Sequence, residues 1–134
     1  MKTIIETKNS PLPIGPYNQA VLANGTLYMS GQIAMHPESG ELIMDSIESE
    51  TEQVMKNMEG VLLKAGMTLD DVVKCSIFIT DMDNFARVNE VYGKFFTSDF
   101  PARETVEVSR LPKDVNVEIS ATAVKNIAAD EVKG

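Results

Sequence analysis

The sequence predicts one α+β domain in which two helices cover a single face of a sheet. A chain of 134 residues, of which 43% are hydrophobic, is long enough to bury one core. Two segments place apolar residues at helical spacing, and the other regular segments are β-prone or alternate as strands do. Their order is three strands, a helix, a strand, a helix and two strands, which is typical of a two-layer domain. We therefore treat residues 1–134 as one domain.

The first strands are predicted from a turn signal. Ile4 and Ile5 begin a short β-prone segment, and the Pro- and Gly-rich residues 10–16 then form an irregular loop. Asn24-Gly25 is a strong hairpin signal, so residues 19–23 and 26–33 should pair antiparallel around it.

Both helices are predicted from apolar periodicity. Ser49, with Glu52 three residues later, resembles a capping box, and Gly66 ends the first helix; Glu50 falls on its polar face. The apolar positions of this helix are Val54, Met58, Val61, Leu62 and Ala65. The second helix follows residues 81–83 and ends before Phe100-Pro101, with one stripe formed by Phe85, Val88, Tyr92, Phe95 and Phe96.

Period-two patterns predict the remaining strands. From residue 71, Val73, Cys75, Ile77 and Ile79 form one apolar face. Residues 103–108 and 115–123 also alternate, with a turn at 110–114, and the polar tail from residue 126 should fray. If these last two strands form a hairpin, Arg103 and Glu118 share its polar face, with Cβ atoms about 5 to 8 Å apart.

Composition excludes several classes of function. The chain has 12 Lys and Arg against 20 Asp and Glu, and this net charge of −8 disfavours nucleic acid as a partner. No apolar run approaches the roughly 20 residues that cross a bilayer. One cysteine, Cys75, allows no intrachain disulfide and no thiolate zinc site, and it fits a reducing, cytoplasmic location. No metal-ligand spacing, phosphate loop or Ser-His-Asp set occurs, so no metal site is expected.

The residues alone do not select a reaction. An ordinary cross-strand ion pair on a wet surface, worth roughly 0 to 1 kcal/mol, is the favoured interpretation of Arg103 and Glu118 from pattern alone. Cys75 lies on the apolar face and is expected to be a buried, inert thiol. Tyr17, in the loop after Gly15-Pro16, is more simply a packed loop residue than a ligand contact.

Several segments resemble one known family along nearly the full length. They are residues 14–21 (IGPYNQAV), 30–33 (SGQI), 101–103 (PAR) and 117–119 (VEI), with Asn84, Phe85, Asn89 and Tyr92 between them. Their order and spacing resemble the RidA (YjgF) family of enamine/imine deaminases. The resemblance implies a chorismate-mutase-like fold and a homotrimer with a central barrel, whose ligand clefts lie between neighbouring subunits.

The resemblance also implies an activity and roles for single residues. The substrates would be 2-imino acids such as 2-iminobutanoate and 2-iminopropanoate, which are hydrolysed to 2-oxo acids and ammonia without a cofactor. Arg103 would bind the substrate carboxylate through its planar fork. Glu118 would position the attacking water, and Asn89 would support the site from the second helix.

Three further positions are implied to contact the ligand. The Gly31 amide and the backbone at Thr105 would hold it, and Tyr17 would close the cleft. The chain departs from the family after Arg103, where Glu104 and Thr105 replace the frequent Ser or Ala and then Cys. Glu104 should alternate to the face opposite Arg103, although its charge is expected to weaken anion binding.

Two other functions stay open. Some relatives of this fold sense or carry small metabolites, or contact other proteins, without turnover, so a regulatory or chaperone-like binding protein is the main alternative. A ribonuclease or translation-inhibiting role has also been attached to relatives. The net charge of −8 makes that role the least favoured.

Overall fold

A computed structural model describes residues 1–125, and the predicted fraying from residue 126 onward lies outside this part. The predicted order of elements is confirmed, with two helices on one face of a six-stranded sheet. The main elements are β1 (Lys2–Ile5), β2 (Ala20–Ala23), β3 (Thr26–Gln32), α1 (Ile47–Lys64), β4 (Val72–Ile79), α2 (Phe85–Lys94), β5 (Ala102–Glu107) and β6 (Val117–Val124). Within residues 1–125, no helix is both long and apolar enough to span a membrane.

The predicted hairpin at Asn24-Gly25 is confirmed. β2 and β3 pair antiparallel, with Ala23 opposite Thr26 across the turn. Asn24 and Gly25 both adopt positive φ values, 52° and 78°, which is the backbone of a type I′ turn and explains this residue pair. β1 pairs antiparallel with β2 and forms one edge of the sheet.

The predicted hairpin of the last two strands is wrong. The strand order is β1-β2-β3-β6-β4-β5, so β4 lies between β5 and β6. β5 pairs parallel with β4, while β6 pairs antiparallel with both β3 and β4. The reason is the helix α2 between β4 and β5, because a helical crossover returns the chain in the same direction. β6 then lies between β3 and β4 in the sheet.

Helix α1 begins earlier than predicted. Ser46 is its N-cap, and Ser46 and Ser49 form a reciprocal capping box, so the expected pair of Ser49 with Glu52 is wrong. Glu50, predicted on the polar face, is fully buried instead. Its carboxylate accepts hydrogen bonds from the backbone N–H of Asn116 at 2.7 Å and of Val117 at 3.2 Å. It also accepts one from the Asn116 side chain at 2.8 Å, so α1 holds the start of β6.

The core lies between the sheet and both helices. Its largest fully buried apolar side chains are Leu27, Met55, Met58, Leu62, Met67, Ile77, Ile79 and Ile119. The predicted core position Val73 is wrong: it is 48% exposed, and Val72 is buried in its place. The register between β4 and β6 shifts between Val72 and Lys74, and this bulge reverses the alternation at the start of the strand.

Candidate active site

The sheet separates Arg103 from Glu118. Arg103 is the neighbour of Cys75 across the β4–β5 pair, and Cys75 is fully buried beneath the helices. Glu118 is the neighbour of Phe78, which belongs to the other face of β4. Neighbours in register point to the same side of a sheet, so the predicted shared face is wrong. Within one chain Arg103 lies on the helix-covered face and Glu118 on the open face.

The Arg103 side chain is held in place by α2. Its Nη1 donates to the Asn89 Oδ1 at 2.6 Å. Its guanidinium carbon lies 5.6 Å from the ring centre of Phe85 and 5.2 Å from that of Tyr92, within the range of cation–π attraction. Because residues 85, 89 and 92 share one helix face, a single element supplies all three contacts. Phe85, predicted as a core residue, is exposed and covers the arginine.

The charge of Arg103 remains available to an anion. No Asp or Glu within residues 1–125 makes a salt bridge with it, although the other arginines, Arg87 and Arg110, each have a carboxylate partner. Arg103 lies in a cleft of about 480 Å³ that it lines together with Asn89, Tyr92, Gly93, Phe100 and Pro101. The walls around the guanidinium are largely apolar, which strengthens a charged contact.

Several polar groups around the cleft are buried. Thr105 lies beside Ile77 on the helix-covered face, and within the described chain its hydroxyl is buried without a hydrogen-bond partner. The predicted burial of Cys75 is confirmed, and that burial raises the pKa of its thiol. Burial likewise raises the pKa of Tyr92 above its usual range. Both groups therefore stay protonated at neutral pH.

Glu104 lies where the alternation predicts it, on the open face beside Ser76. It accepts a hydrogen bond from the Ser76 hydroxyl and pairs with Lys74 at 3.0 Å. These two contacts, the Ser76 hydrogen bond first, hold the pKa of Glu104 below its usual value. Lys74 thus offsets the charge that was expected to weaken anion binding at Arg103.

Glu118 packs directly against Gly31. A Cβ atom at Gly31 would come within 2.7 Å of the Glu118 Cδ and 2.9 Å of its Cγ, so only glycine fits while this carboxylate keeps its position. The register between β3 and β6 shifts between Met29 and Gln32, which leaves Gly31 out of the regular ladder. Partial burial raises the pKa of Glu118, and a carboxyl with a raised pKa suits proton transfer nearer to neutral pH.

Tyr17 is presented by a well-anchored loop. The buried Gln19 side chain donates to the Ser10 carbonyl at 3.1 Å and to the Pro11 carbonyl at 2.7 Å. The Tyr17 N–H donates to the Gly15 carbonyl at 2.9 Å, and its ring lies along a second cavity that Gly31 also lines. Gln19 was not predicted as a site residue, although it lies in the segment 14–21 that resembles the family and directly precedes the buried Ala20.

The six predicted site residues thus form two groups in one chain. The structure brings Arg103 together with Asn89, and Gly31 together with Glu118. It does not bring the two groups together. The group on the helix-covered face is Asn89, Arg103 and Thr105, and the other is Tyr17, Gly31 and Glu118. Within residues 1–125, no three His, Cys, Asp or Glu side chains are close enough to share a metal ion.

Comparison with known proteins identifies the family. The sequence profile of the family described as endoribonuclease L-PSP matches residues 7–125. A RutC family protein of Pyrococcus horikoshii is 48% identical over 93% of this chain and 99% of its own. The 2-iminobutanoate/2-iminopropanoate deaminase of Homo sapiens is 42% identical over 93% of this chain and 91% of its own.

A solved structure shares the fold as well. The crystal structure of E. coli TdcF with bound serine superposes with a TM-score of 0.89 at 39% identity, covering 92% of this chain and 99% of that one. These matches span nearly all of the chain. The chain therefore belongs to the endoribonuclease L-PSP family, that is, the RidA (YjgF) family.

Proposed function

We propose that this protein hydrolyses 2-imino acids and their enamines to 2-oxo acids and ammonia without a cofactor. The observation that carries the proposal is Arg103, whose guanidinium is oriented by Asn89 and two aromatic rings and has no salt-bridge partner within residues 1–125. Such a group fits a small carboxylate better than it fits a structural role. The human relative's name gives independent support, because 2-imino acids carry that carboxylate.

The separation of the two residue groups supports a site shared between subunits. The open sheet face exposes large apolar side chains, among them Tyr28 at 56% and Val106 at 42%, which a partner subunit would cover. A homotrimer with a central barrel buries this face. One subunit then supplies Asn89, Arg103 and Thr105, and its neighbour supplies Tyr17, Gly31 and Glu118, which face the same cleft.

The chemistry follows from these positions. Arg103 holds the carboxylate, so the neighbouring C=N carbon lies at a fixed place. With the imine nitrogen protonated, a water molecule adds to that carbon while Glu118 accepts one of its protons, which gives a neutral carbinolamine. Glu118 returns this proton to the nitrogen, ammonia leaves, and Glu118 takes the proton of the hydroxyl group as its oxygen becomes the carbonyl of the 2-oxo acid. One water is consumed, and no redox change occurs.

Two variants separate binding from turnover. Arg103→Ala removes the carboxylate contact, so binding of 2-oxobutanoate, an unreactive product, should be lost in calorimetry. Glu118→Gln keeps the shape but not the base, so turnover should fall roughly 10²- to 10⁴-fold while 2-oxobutanoate still binds. Turnover is measured as ammonia release from imines made in place by an amino-acid oxidase. Normal binding and turnover by Arg103→Ala would exclude the proposed site.

A binding protein without turnover is the main competing function. The relative that is solved with bound serine supports binding of a small amino-acid-like ligand, since serine also carries a carboxylate next to a nitrogen-bearing carbon. Arg103→Ala and Glu118→Gln also distinguish a binding protein from an enzyme. A pure binding protein would show no ammonia release above the spontaneous rate, and Glu118→Gln would change only its affinity.

The family description also names an endoribonuclease activity. A net charge of −8 opposes binding of a polyanion, because phosphate contacts require several exposed cations on one surface. RNA cleavage measured on the same preparation tests this function. Cleavage that disappears in Arg103→Ala but persists in a surface control such as Arg110→Ala would favour the ribonuclease over the deaminase.

The proposed assembly has its own test. Light scattering at micromolar concentration should give the mass of three chains, because the exposed apolar side chains of the open face, such as Tyr28 and Val106, are unfavourable in water. A monomer mass would contradict the shared site. Mixing Arg103→Ala with Glu118→Gln chains under conditions that exchange subunits should restore part of the activity, since some clefts then combine two unchanged halves.

A further inference from the structure

The two helices each contain a glycine, and the reasons for the two differ. In α1, a Cβ atom at Gly60 would lie 2.6 Å from the Asn9 carbonyl oxygen and 2.7 Å from the Ser10 Oγ, so close packing of the N-terminal loop requires glycine. In α2, a Cβ atom at Gly93 would meet no atom within 4 Å in the described chain outside its immediate neighbours and its own helical backbone. Nor is the φ of Gly93 positive. Packing and backbone conformation within the chain therefore leave Gly93 unexplained, although glycine is among the least favourable residues in a helix.

Gly93 lies in the wall of the Arg103 cleft. It follows Asn89 by one helical turn, so the two residues face the same side of α2, and both line the cleft. Pro101 and Phe100 line the same cleft; Phe100 is 62% exposed, and its ring centre lies 6.1 Å from that of Phe96. The cleft thus has a charged end at Arg103 and an apolar part beside Gly93.

The charged end and the apolar part of the cleft match the carboxylate and the apolar side chain of a large amino-acid derivative. When the carboxylate of a ligand binds Arg103, the side chain of that ligand must lie elsewhere in the cleft. An apolar wall favours an apolar side chain there. A side chain at position 93 would occupy space in this part of the cleft, whereas glycine leaves it empty.

We propose that Gly93 is a specificity-determining residue that admits 2-imino acids with large apolar side chains, of the size found in leucine or phenylalanine. The inference rests on the proposed deaminase function and goes beyond it by naming the part of the cleft that selects the substrate. Gly93 takes no part in the chemical step, and it acts by leaving volume unfilled.

The test compares two imines in one set of variants. Gly93→Leu fills the apolar part of the cleft, and Glu90→Leu places the same side chain on an exposed position of the same helix outside the cleft. Imines are made in place from leucine and from alanine, and kcat/KM is measured for each. The ratio of leucine-derived to alanine-derived imine should fall at least tenfold in Gly93→Leu, because one misplaced methylene in a pocket already changes selection by roughly 10-fold or more. The ratio in Glu90→Leu should stay within twofold of the unmodified protein.

A second variant guards against misfolding. Gly93→Ala adds a single methyl group and favours the helix, so it should raise Tm. It should also weaken binding of 4-methyl-2-oxopentanoate relative to pyruvate in calorimetry, by a smaller factor than Gly93→Leu. If Gly93→Leu does not fold, the ratio of the affinities of Gly93→Ala for 4-methyl-2-oxopentanoate and pyruvate tests the role of Gly93 by itself.

The outcomes distinguish this inference from the function on which it rests. Turnover of both imines with an unchanged ratio in Gly93→Leu overturns the role of Gly93 and leaves the deaminase in place. A lower Tm or a loss of assembly in Gly93→Ala would show that the glycine serves packing between subunits, which also overturns it. Failure of the unmodified protein to act on either imine or to bind either 2-oxo acid removes both proposals.

Discussion

The substitution Asn89→Asp tests how the charge of Arg103 is used. The new carboxylate is nearly isosteric with the amide and can accept the same hydrogen bond from Arg103, which is 2.6 Å long. It therefore turns a neutral contact into an ion pair. A ligand carboxylate on the far side of the guanidinium would then lie about 6 Å from this second negative charge. With an effective dielectric constant of about 20 the repulsion is about 332/(20 × 6), or roughly 2.8 kcal/mol, and with about 40 it is roughly half.

These energies correspond to a loss of affinity of roughly 10- to 100-fold for a 2-oxo acid. Calorimetry with 2-oxobutanoate measures it, and the loss should shrink as salt is added, because salt screens exposed charges. Asn84→Asp is the matched control: it makes the same chemical change at the start of α2 and outside the cleft. An Asn89→Asp protein that binds as well as this control would refute the claim that Arg103 is the anion contact.

Three further predictions concern the elements around the site. Glu50→Ala leaves the partly buried N–H of Asn116 and the buried N–H of Val117 without an acceptor, so the free energy of unfolding in urea should fall by about 3 to 5 kcal/mol; a loss below 1 kcal/mol would contradict this. Gly31→Ala places a methyl group against the Glu118 carboxylate, so ammonia release should drop roughly tenfold or more; unchanged release would show that the position of this carboxylate does not matter for turnover. Burial raises the pKa of Glu118 above that of the unfolded chain, so its cost to stability is absent below about pH 4 and complete above the folded pKa. Glu118→Gln should therefore raise Tm at pH 7 more than at pH 4, and an equal change at both values would be inconsistent with that pKa.

Local signals predicted the elements of the fold well. Asn24-Gly25 gave the first hairpin because its positive φ values are a property of two residues and need no distant partner. Helical periodicity located both helices for the same reason. The start of α1 was misplaced because Ser46, Ser49 and Glu52 offer competing caps, and the structure uses Ser46.

Local sequence signals did not predict which distant strands pair. The last two strands were expected to form a hairpin, yet residues 108–116 separate them, and this is longer than most hairpin loops. The unit β4–α2–β5 has the strand–helix–strand order that predicts parallel pairing, and it was the better guide. With β4 between them, Arg103 and Glu118 take opposite faces, so the face shared by these two residues was predicted wrongly.

Burial of charge was the other source of error. Glu50 was placed on the polar face of its helix because a carboxylate is rarely buried without partners. Its partners are Asn116 and Val117, which no helical pattern in residues 47–64 can reveal. In β5 the alternation turns the polar residues Arg103 and Thr105 toward the helices and leaves Val106 42% exposed on the open face.

The position of β6 has a consequence for how the protein is made. The strand that a ribosome synthesises last among those described is a central one, between β3 and β4. Until residues 117–124 have emerged, the sheet exists only as two separate halves, each with an unpaired inner edge, and the burial site of Glu50 is missing its donors. Folding of the sheet must therefore wait until β6 has been synthesised. Until then the nascent protein exposes two unpaired strand edges, which can pair with other chains. Substitutions that slow the docking of β6 should lower the yield of folded protein in cells more than they lower its equilibrium stability.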